Sequence, residues 1–295
     1  MKQVIFKGSA CAVVTPFEKS GRIDYKALRK IIDYQLSKST DAIVVCGTTG
    51  ESSVLSSREH KQVIKSVMKY VENRVPVIAG VGSNCTDSVL RKSEAAQECG
   101  VDGLLIVTPY YNKTSQDGLI EHYRFIANHV STPVITYNVP SRTGLDIKPE
   151  TYKELSKIPK IVATKEANGN LSALMKTIEL CGENLNIYCG NDDQSAAFVA
   201  MGAIGTISVL ANLMPQQAHD IVSTGLNGDN DLSAALQIKY LEMCNALFCD
   251  VNPVPVKYAM SLIGLCSDVY RLPLVGLNDK NKAKIISAMR HLDII

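Results

Sequence analysis

Eight short apolar runs punctuate the chain: ACAVVTP (10–16), AIVVCG (42–47), VPVIAGV (75–81), GLLIVTP (103–109), PVITYN (133–138), IVATKEA (161–167), NIYCGND (186–192) and GTISVL (205–210). They are continuously apolar and do not alternate, which is the pattern of strands buried on both faces and therefore of a parallel sheet. Between them lie segments of 3.6-residue periodicity, at 25–36, 58–72, 87–98, 117–130 and 150–158, each long enough for a crossover helix. Eight such units predict an α/β fold, a closed (β/α)8 barrel. The competing architecture is an open doubly wound sheet, which would carry a glycine fingerprint after its first strand; here that strand ends in VTPFEKSG. After GTISVL and a helix at 214–225, the turn-rich LNGDNDL closes the last unit, and periodic stretches at 231–249, 254–265 and 279–293 predict helices. We read residues 1–224 as the barrel and 225–295 as a three-helix C-terminal extension, an appendage to it.

A parallel barrel gathers its functional groups at the C-terminal ends of its strands. The segments there are GTTGES (47–52), TPYYNK (108–113), TYNVPSRTG (136–144), TKEANG (164–169) and GND (190–192). Hydroxyls and one amine converge, and carboxylate pairs do not. Lys165 interrupts an apolar strand. Alternation predicts that it shares a face with Ile161 and Ala163 while Glu166 points the other way, so the adjacent carboxylate is badly aimed for an ion pair. A snorkelling strand-end lysine is one reading. The other is chemical: an apolar barrel mouth penalises the ammonium relative to the neutral amine, and a neutral amine attacks a ketone to form a Schiff base.

Such chemistry needs a proton shuttle, and the Tyr137 phenol at the end of the neighbouring strand is the candidate; a merely packed tyrosine is the alternative. Thr48 and Thr49, after the second strand, can hold a small carboxylate with hydroxyls and backbone amides. Arg142 in VPSRTG either binds a second carboxylate with its guanidinium fork or is a solvated loop arginine. Asp192 and Asp193 open a helix, where acidic residues complement the dipole, and we assign no metal. The five histidines sit in helical segments without HExxH or GxSxG, and Walker and Rossmann fingerprints are missing.

Composition narrows the partners. A 295-residue chain, 46% hydrophobic and 20% charged, is ordinary for a globular protein, and a net charge of +2 without a basic run implies neither nucleic acid nor an anionic membrane. Nine scattered cysteines without a CxxC pair read as reduced thiols of a cytosolic protein. Neither a signal peptide nor a span of about 18 apolar residues is evident.

GTTGES, TPYYNK, YNVPSRTG, KEANG and GND, in this order and over nearly the whole chain, resemble the dihydrodipicolinate synthase family, within the wider class I pyruvate aldolases that include N-acetylneuraminate lyase. The resemblance implies a (β/α)8 barrel that condenses pyruvate with L-aspartate 4-semialdehyde to 4-hydroxy-tetrahydrodipicolinate, the first committed step of the diaminopimelate and lysine pathway. It implies no cofactor beyond a covalent Schiff base with Lys165, and proton transfer by Tyr137. Thr48 and Tyr111 match relay partners, the tyrosine reaching in from a neighbouring subunit. Thr49 matches the ligand of the pyruvate carboxylate and Arg142 the arginine that receives the semialdehyde carboxylate. Ile207 falls where a backbone contact to pyruvate is expected and Gly190 where the chain passes close to substrate. A cytoplasmic homotetramer, a dimer of dimers, is implied as well.

Arg142 favours the synthase over sialic acid lyases, which tend to be apolar there. Of a regulatory lysine site, Ser52, His60, Asn84 and Tyr110 match, whereas Ser57 replaces a histidine and Ser88 an acidic residue. The effector's ammonium thus loses its carboxylate partner, which argues against feedback inhibition. Two alternatives remain: an aldolase or lyase acting on sugar acids such as N-acetylneuraminate or 2-keto-3-deoxygluconate, and a non-catalytic ligand-binding barrel.

Overall fold

Each apolar run forms a strand: β1 (Gly8–Ala12), β2 (Ala42–Val45), β3 (Val77–Gly80), β4 (Gly103–Val107), β5 (Val134–Asn138), β6 (Ile161–Glu166), β7 (Asn186–Cys189) and β8 (Gly205–Ser208). The computed structural model describes residues 2–295. The strands pair in parallel in chain order and β8 returns to β1, closing the barrel. The closure depends on a glycine, because a Cβ on Gly205 would lie 2.3 Å from the Gly8 carbonyl oxygen.

The helices begin with α1 (Tyr25–Leu36), α2 (Ser57–Val71), α3 (Thr86–Gln97) and α4 (Gln116–His129). Next come a one-turn α5 (Pro140–Thr143), then α6 (Pro149–Leu155), α7 (Leu171–Cys181), α8 (Ser195–Ala200) and α9 (Pro215–Leu226). Helix α1 shows why they form: Leu28, Ile31, Ile32 and Gln35 recur on one face and are buried, and the Asp24 side chain accepts from the Ala27 amide to cap the first turn. Burying either isoleucine contributes about 1.5–3 kcal/mol. In α2 the cap is reciprocal, Ser56 with the Glu59 amide and Glu59 with the Ser56 amide.

Side chains pointing inward from the strands form a second core. Phe6 plugs its N-terminal end, stacked 4.3 Å from the Tyr188 ring, whose hydroxyl donates to the Phe6 carbonyl at 2.9 Å. Above this plug Ala10, Ala12, Ala42 and Ala163 keep the interior narrow, and Tyr137 and Ile207 join the same cluster. One expectation needs correction: Ile161 does not share a face with Lys165. The β5–β6 register slips by one residue between Val134 and Ile135, so Val162 and Ala163 both join the interior while Ile161 packs outside, among the helices.

Past the barrel the chain continues through α10 (Asn230–Ala246), α11 (Val254–Leu262) and α12 (Asp279–His291). Helix α10 packs on α9, α8 and α12, and α11 on α12. A bond from Gln237 Nε2 to the Asp192 carbonyl, 2.9 Å, joins α10 to the segment that follows β7.

Candidate active site

The C-terminal mouth of the barrel holds a cavity of about 190 Å³, and Thr48, Thr49, Tyr137, Arg142, Lys165 and Gly190 all line it. Lys165 is 6% exposed and lies next to Tyr137 in the β5–β6 register, with Nζ 4.4 Å from the phenol ring centroid. Among the described residues its ammonium has no carboxylate within ion-pair distance and no hydrogen-bond partner. Gly190 makes room for it, since a Cβ there would sit 3.1 Å from Lys165 Cε and 2.8 Å from Ala167 Cβ.

Glu166 faces away from Lys165, as alternation requires, and is buried. Its carboxylate accepts from Asn138 Nδ2 (3.0 Å), the Tyr152 hydroxyl (2.8 Å) and the Asn168 amide (2.8 Å). Burial pushes its pKa up to about 7, and those three donors oppose the rise. Asn138 also donates to Asp146 at 2.8 Å and accepts from the Ile147 amide at 3.1 Å. The residues immediately after Tyr137 and Lys165 are thereby bonded to each other and to the far end of the loop that carries Arg142. Arg142 sits in α5, and its Nη2 donates to the Asn252 carbonyl at 3.5 Å.

The segment before α11 enters the site. Asn252 and Phe248 line the cavity, and Asn252 Nδ2 donates to Thr49 Oγ1 at 3.0 Å. Among the described residues the buried Asn252 Oδ1 has no protein partner. The C-terminal extension is therefore part of the cavity wall and more than an appendage. Asp192 opens a short helical turn with Asp193, as expected, and has a further role. It is buried and accepts from the Val209 and Leu210 amides at 2.9 and 2.8 Å, fastening the end of β7 to the end of β8. Burial raises its pKa, against these bonds.

Ile207 and Tyr111 do not line the cavity. The Ile207 side chain belongs to the barrel-interior cluster, whatever its backbone offers, and Val209, two residues on, lines the wall. Tyr111 is 92% exposed at a φ of 68°, left-handed backbone that a side chain with a Cβ seldom adopts. A second cavity, about 220 Å³, shares Thr48, Val139 and Arg142 with the first and is lined further by Ser52, Tyr110 and Lys92. His60 and Asn84 stand outside it. The His60 ring Nε2 lies 2.8 Å from the Gly80 carbonyl, and the Asn84 carbonyl accepts from Asn112 at 2.9 Å. Among the described residues no three His, Cys, Asp or Glu side chains come together to hold a metal ion.

Sequence reasoning missed Asn252, Phe248 and the buried role of Asp192. A signal was present for the first: Asn252 opens NPVPVK, a turn leading into an apolar run that contains a lysine, the same irregularity that marks Lys165.

A parallel barrel whose mouth carries a lone buried amine, flanked by a phenol, a threonine pair and an arginine, defines a (β/α)8 protein equipped for carbonyl chemistry on a small acid. Comparison with known proteins places it more narrowly: residues 5–292 match the model of the dihydrodipicolinate synthetase family, and the chain belongs to that family. A 4-hydroxy-tetrahydrodipicolinate synthase of Caldicellulosiruptor saccharolyticus is 51% identical over 285 residues, 97% of this chain and 96% of the relative. One from Geobacter metallireducens is 46% identical over 291 residues, 99% of this chain and all of the relative. The crystal structure of chloride-inhibited dihydrodipicolinate synthase from Acinetobacter baumannii, complexed with pyruvate, superposes with a TM-score of 0.97 at 39% identity, covering 99% of this chain and 100% of that one.

Proposed function

We propose that the chain condenses pyruvate with L-aspartate 4-semialdehyde to give 4-hydroxy-tetrahydrodipicolinate, through a Schiff base on Lys165. The observation that carries the chemistry is the solitary amine: Lys165 is buried, faces open cavity, and has an aromatic ring in place of a counter-ion. Relatives named for this reaction, at about half identity over nearly full length, supply the substrates.

The neutral amine adds to the C2 carbonyl of pyruvate. Loss of water from the carbinolamine leaves an iminium whose positive nitrogen acidifies the C3 methyl. The Thr48–Thr49 turn receives the pyruvate carboxylate, and Thr49 Oγ1 is free to donate because its lone pair already accepts from Asn252. Removal of a C3 proton gives the enamine, which attacks the semialdehyde aldehyde, and Tyr137 moves the protons between nitrogen, oxygen and the Thr48 hydroxyl. Arg142, on the same cavity wall, receives the second carboxylate. The semialdehyde's own amine then displaces Lys165, closing the ring and freeing the enzyme.

Tyr111 completes the relay from a second copy of the chain. Its exposure, its left-handed backbone and its absence from the wall of its own chain's cavity support that reading and with it a homo-oligomer. Activity per chain should fall on dilution to monomers, and a fully active monomer would remove Tyr111 from the mechanism. Lys92 lines the second cavity, and Ser88, standing in sequence where an acidic residue would be expected, offers no carboxylate; both support insensitivity to lysine.

The deciding assay supplies pyruvate with aspartate semialdehyde, and separately N-acetylneuraminate or 2-keto-3-deoxygluconate. Condensation in the first arm alone is expected. Cleavage of a sugar acid without condensation would overturn the assignment.

A further inference from the structure

Two buried charges lie outside this chemistry. Lys257, on α11, is 0% exposed, and Glu51, after the threonine pair, is 3% exposed; their Nζ–Oε1 distance is 2.7 Å. Neither side chain lines the cavity. What they hold is the turn that carries Thr48 and Thr49.

That turn is tightly wound. The Gly50 amide donates to the Gly47 carbonyl at 3.1 Å and the Glu51 amide to the Thr48 carbonyl at 3.0 Å. Glu51 itself has a φ of 52°, a left-handed conformation that costs a residue with a Cβ and persists only where its surroundings enforce it. The enforcement is visible. Its second oxygen accepts from the Arg271 amide at 3.3 Å, so both ends of the carboxylate are tied to the C-terminal segment. Lys257 also donates to the Thr15 carbonyl at 3.1 Å and lies 4.4 Å from the Phe17 ring centroid. The Thr15 hydroxyl donates to the Gly50 carbonyl at 2.7 Å, so the same knot grips the turn twice. From the other side, Asn252 reaches Thr49 Oγ1.

Stability alone explains this arrangement poorly, because a buried ion pair seldom outperforms well-packed apolar side chains of the same volume. Geometry explains it better. We propose that Lys257 and Glu51 are positioning residues: the pair sets the turn so that the Thr48 and Thr49 hydroxyls meet the keto-acid carboxylate, which makes the C-terminal segment part of the catalytic apparatus. The proposal rests on the Schiff-base reading of Lys165.

The test compares wild type with the charge-free double variant Glu51→Gln/Lys257→Met, which preserves volume and leaves no lone buried charge. Both are trapped with borohydride over a range of pyruvate concentrations and assayed against aspartate semialdehyde. The double variant should melt near the wild-type temperature and still trap pyruvate at saturation, with half-saturation raised about tenfold, one charge-assisted hydrogen bond's worth. The KM for semialdehyde should change less than about twofold, since Arg142 stands on another loop; a merely structural lesion would not separate the two constants. A folded double variant with wild-type pyruvate dependence overturns the proposal. Should that variant fail to fold, the single variant Glu51→Gln is taken through the same two titrations: a raised pyruvate half-saturation supports the pair's role, and an unchanged one overturns it. Wild type that fails to trap pyruvate overturns the Lys165 reading, and this proposal with it.

Discussion

Lys165 and Lys257 are both buried, and both interrupt apolar runs, IVATKEA and VPVKYAM. Their surroundings differ completely. Lys257 meets the Glu51 carboxylate, the Thr15 carbonyl and two aromatic rings, Phe17 and Tyr270. Burial lowers its pKa and Glu51 pulls it back. Lys165 meets the Tyr137 ring and open cavity. A buried ammonium whose donors are satisfied fixes the backbone around it, whereas one left without partners beside empty space is available to a ligand. The backbone supports that difference: Gly190 gives Lys165 room, while the left-handed Glu51 brings a carboxylate to Lys257.

The largest expected effect separates the two at once. Lys165→Ala should lose turnover on the order of a million-fold, as when a covalent nucleophile is deleted, while melting at or above the wild-type temperature. Steady-state rates and thermal melts on the same preparation check both halves. Lys257→Ala should do the reverse in stability, costing about 3–5 kcal/mol in urea unfolding because Glu51 is stranded in the interior. Equal stability of the two alanine variants would erase the contrast. Arg142→Ala should raise the KM for semialdehyde by about ten- to a hundredfold, the value of a hydrogen bond to a charged group, and leave pyruvate trapping at Lys165 unchanged.

The smallest effect concerns a third tie to the C-terminal segment. Arg271 pairs with Glu59 at 2.5 Å and, with help from Ser56, holds that carboxylate down at about 2. A depressed carboxylate contributes stability that is present above its unfolded value, about 4.3, and disappears as pH falls towards 2. Glu59→Gln should therefore flatten the acid limb of the stability curve while leaving trapping at Lys165 at neutral pH untouched.

Much of this was legible in the chain. Continuous apolar runs identify all eight strands, because a barrel buries both faces of its sheet and leaves no alternation to confuse the pattern. Lys165, Tyr137, Thr48, Thr49 and Arg142 could be found together because a parallel barrel delivers every strand's last residues to one mouth. The Ile161 error shows the limit: a bulge is a property of two strands in register, and β6 alone carries no mark of it. Asn252 and Lys257 escaped for a similar reason. Their partners, Thr49 and Glu51, lie some two hundred residues earlier, and only the folded chain brings them together.

The most direct measurement incubates the purified protein with pyruvate, reduces it with borohydride, and weighs both the intact chain and its peptides. A gain equal to pyruvate less water plus two hydrogens, confined to the peptide containing Lys165 and absent from the one containing Lys257, is expected. An unmodified chain, or the label on Lys257, would contradict the distinction between the two buried lysines.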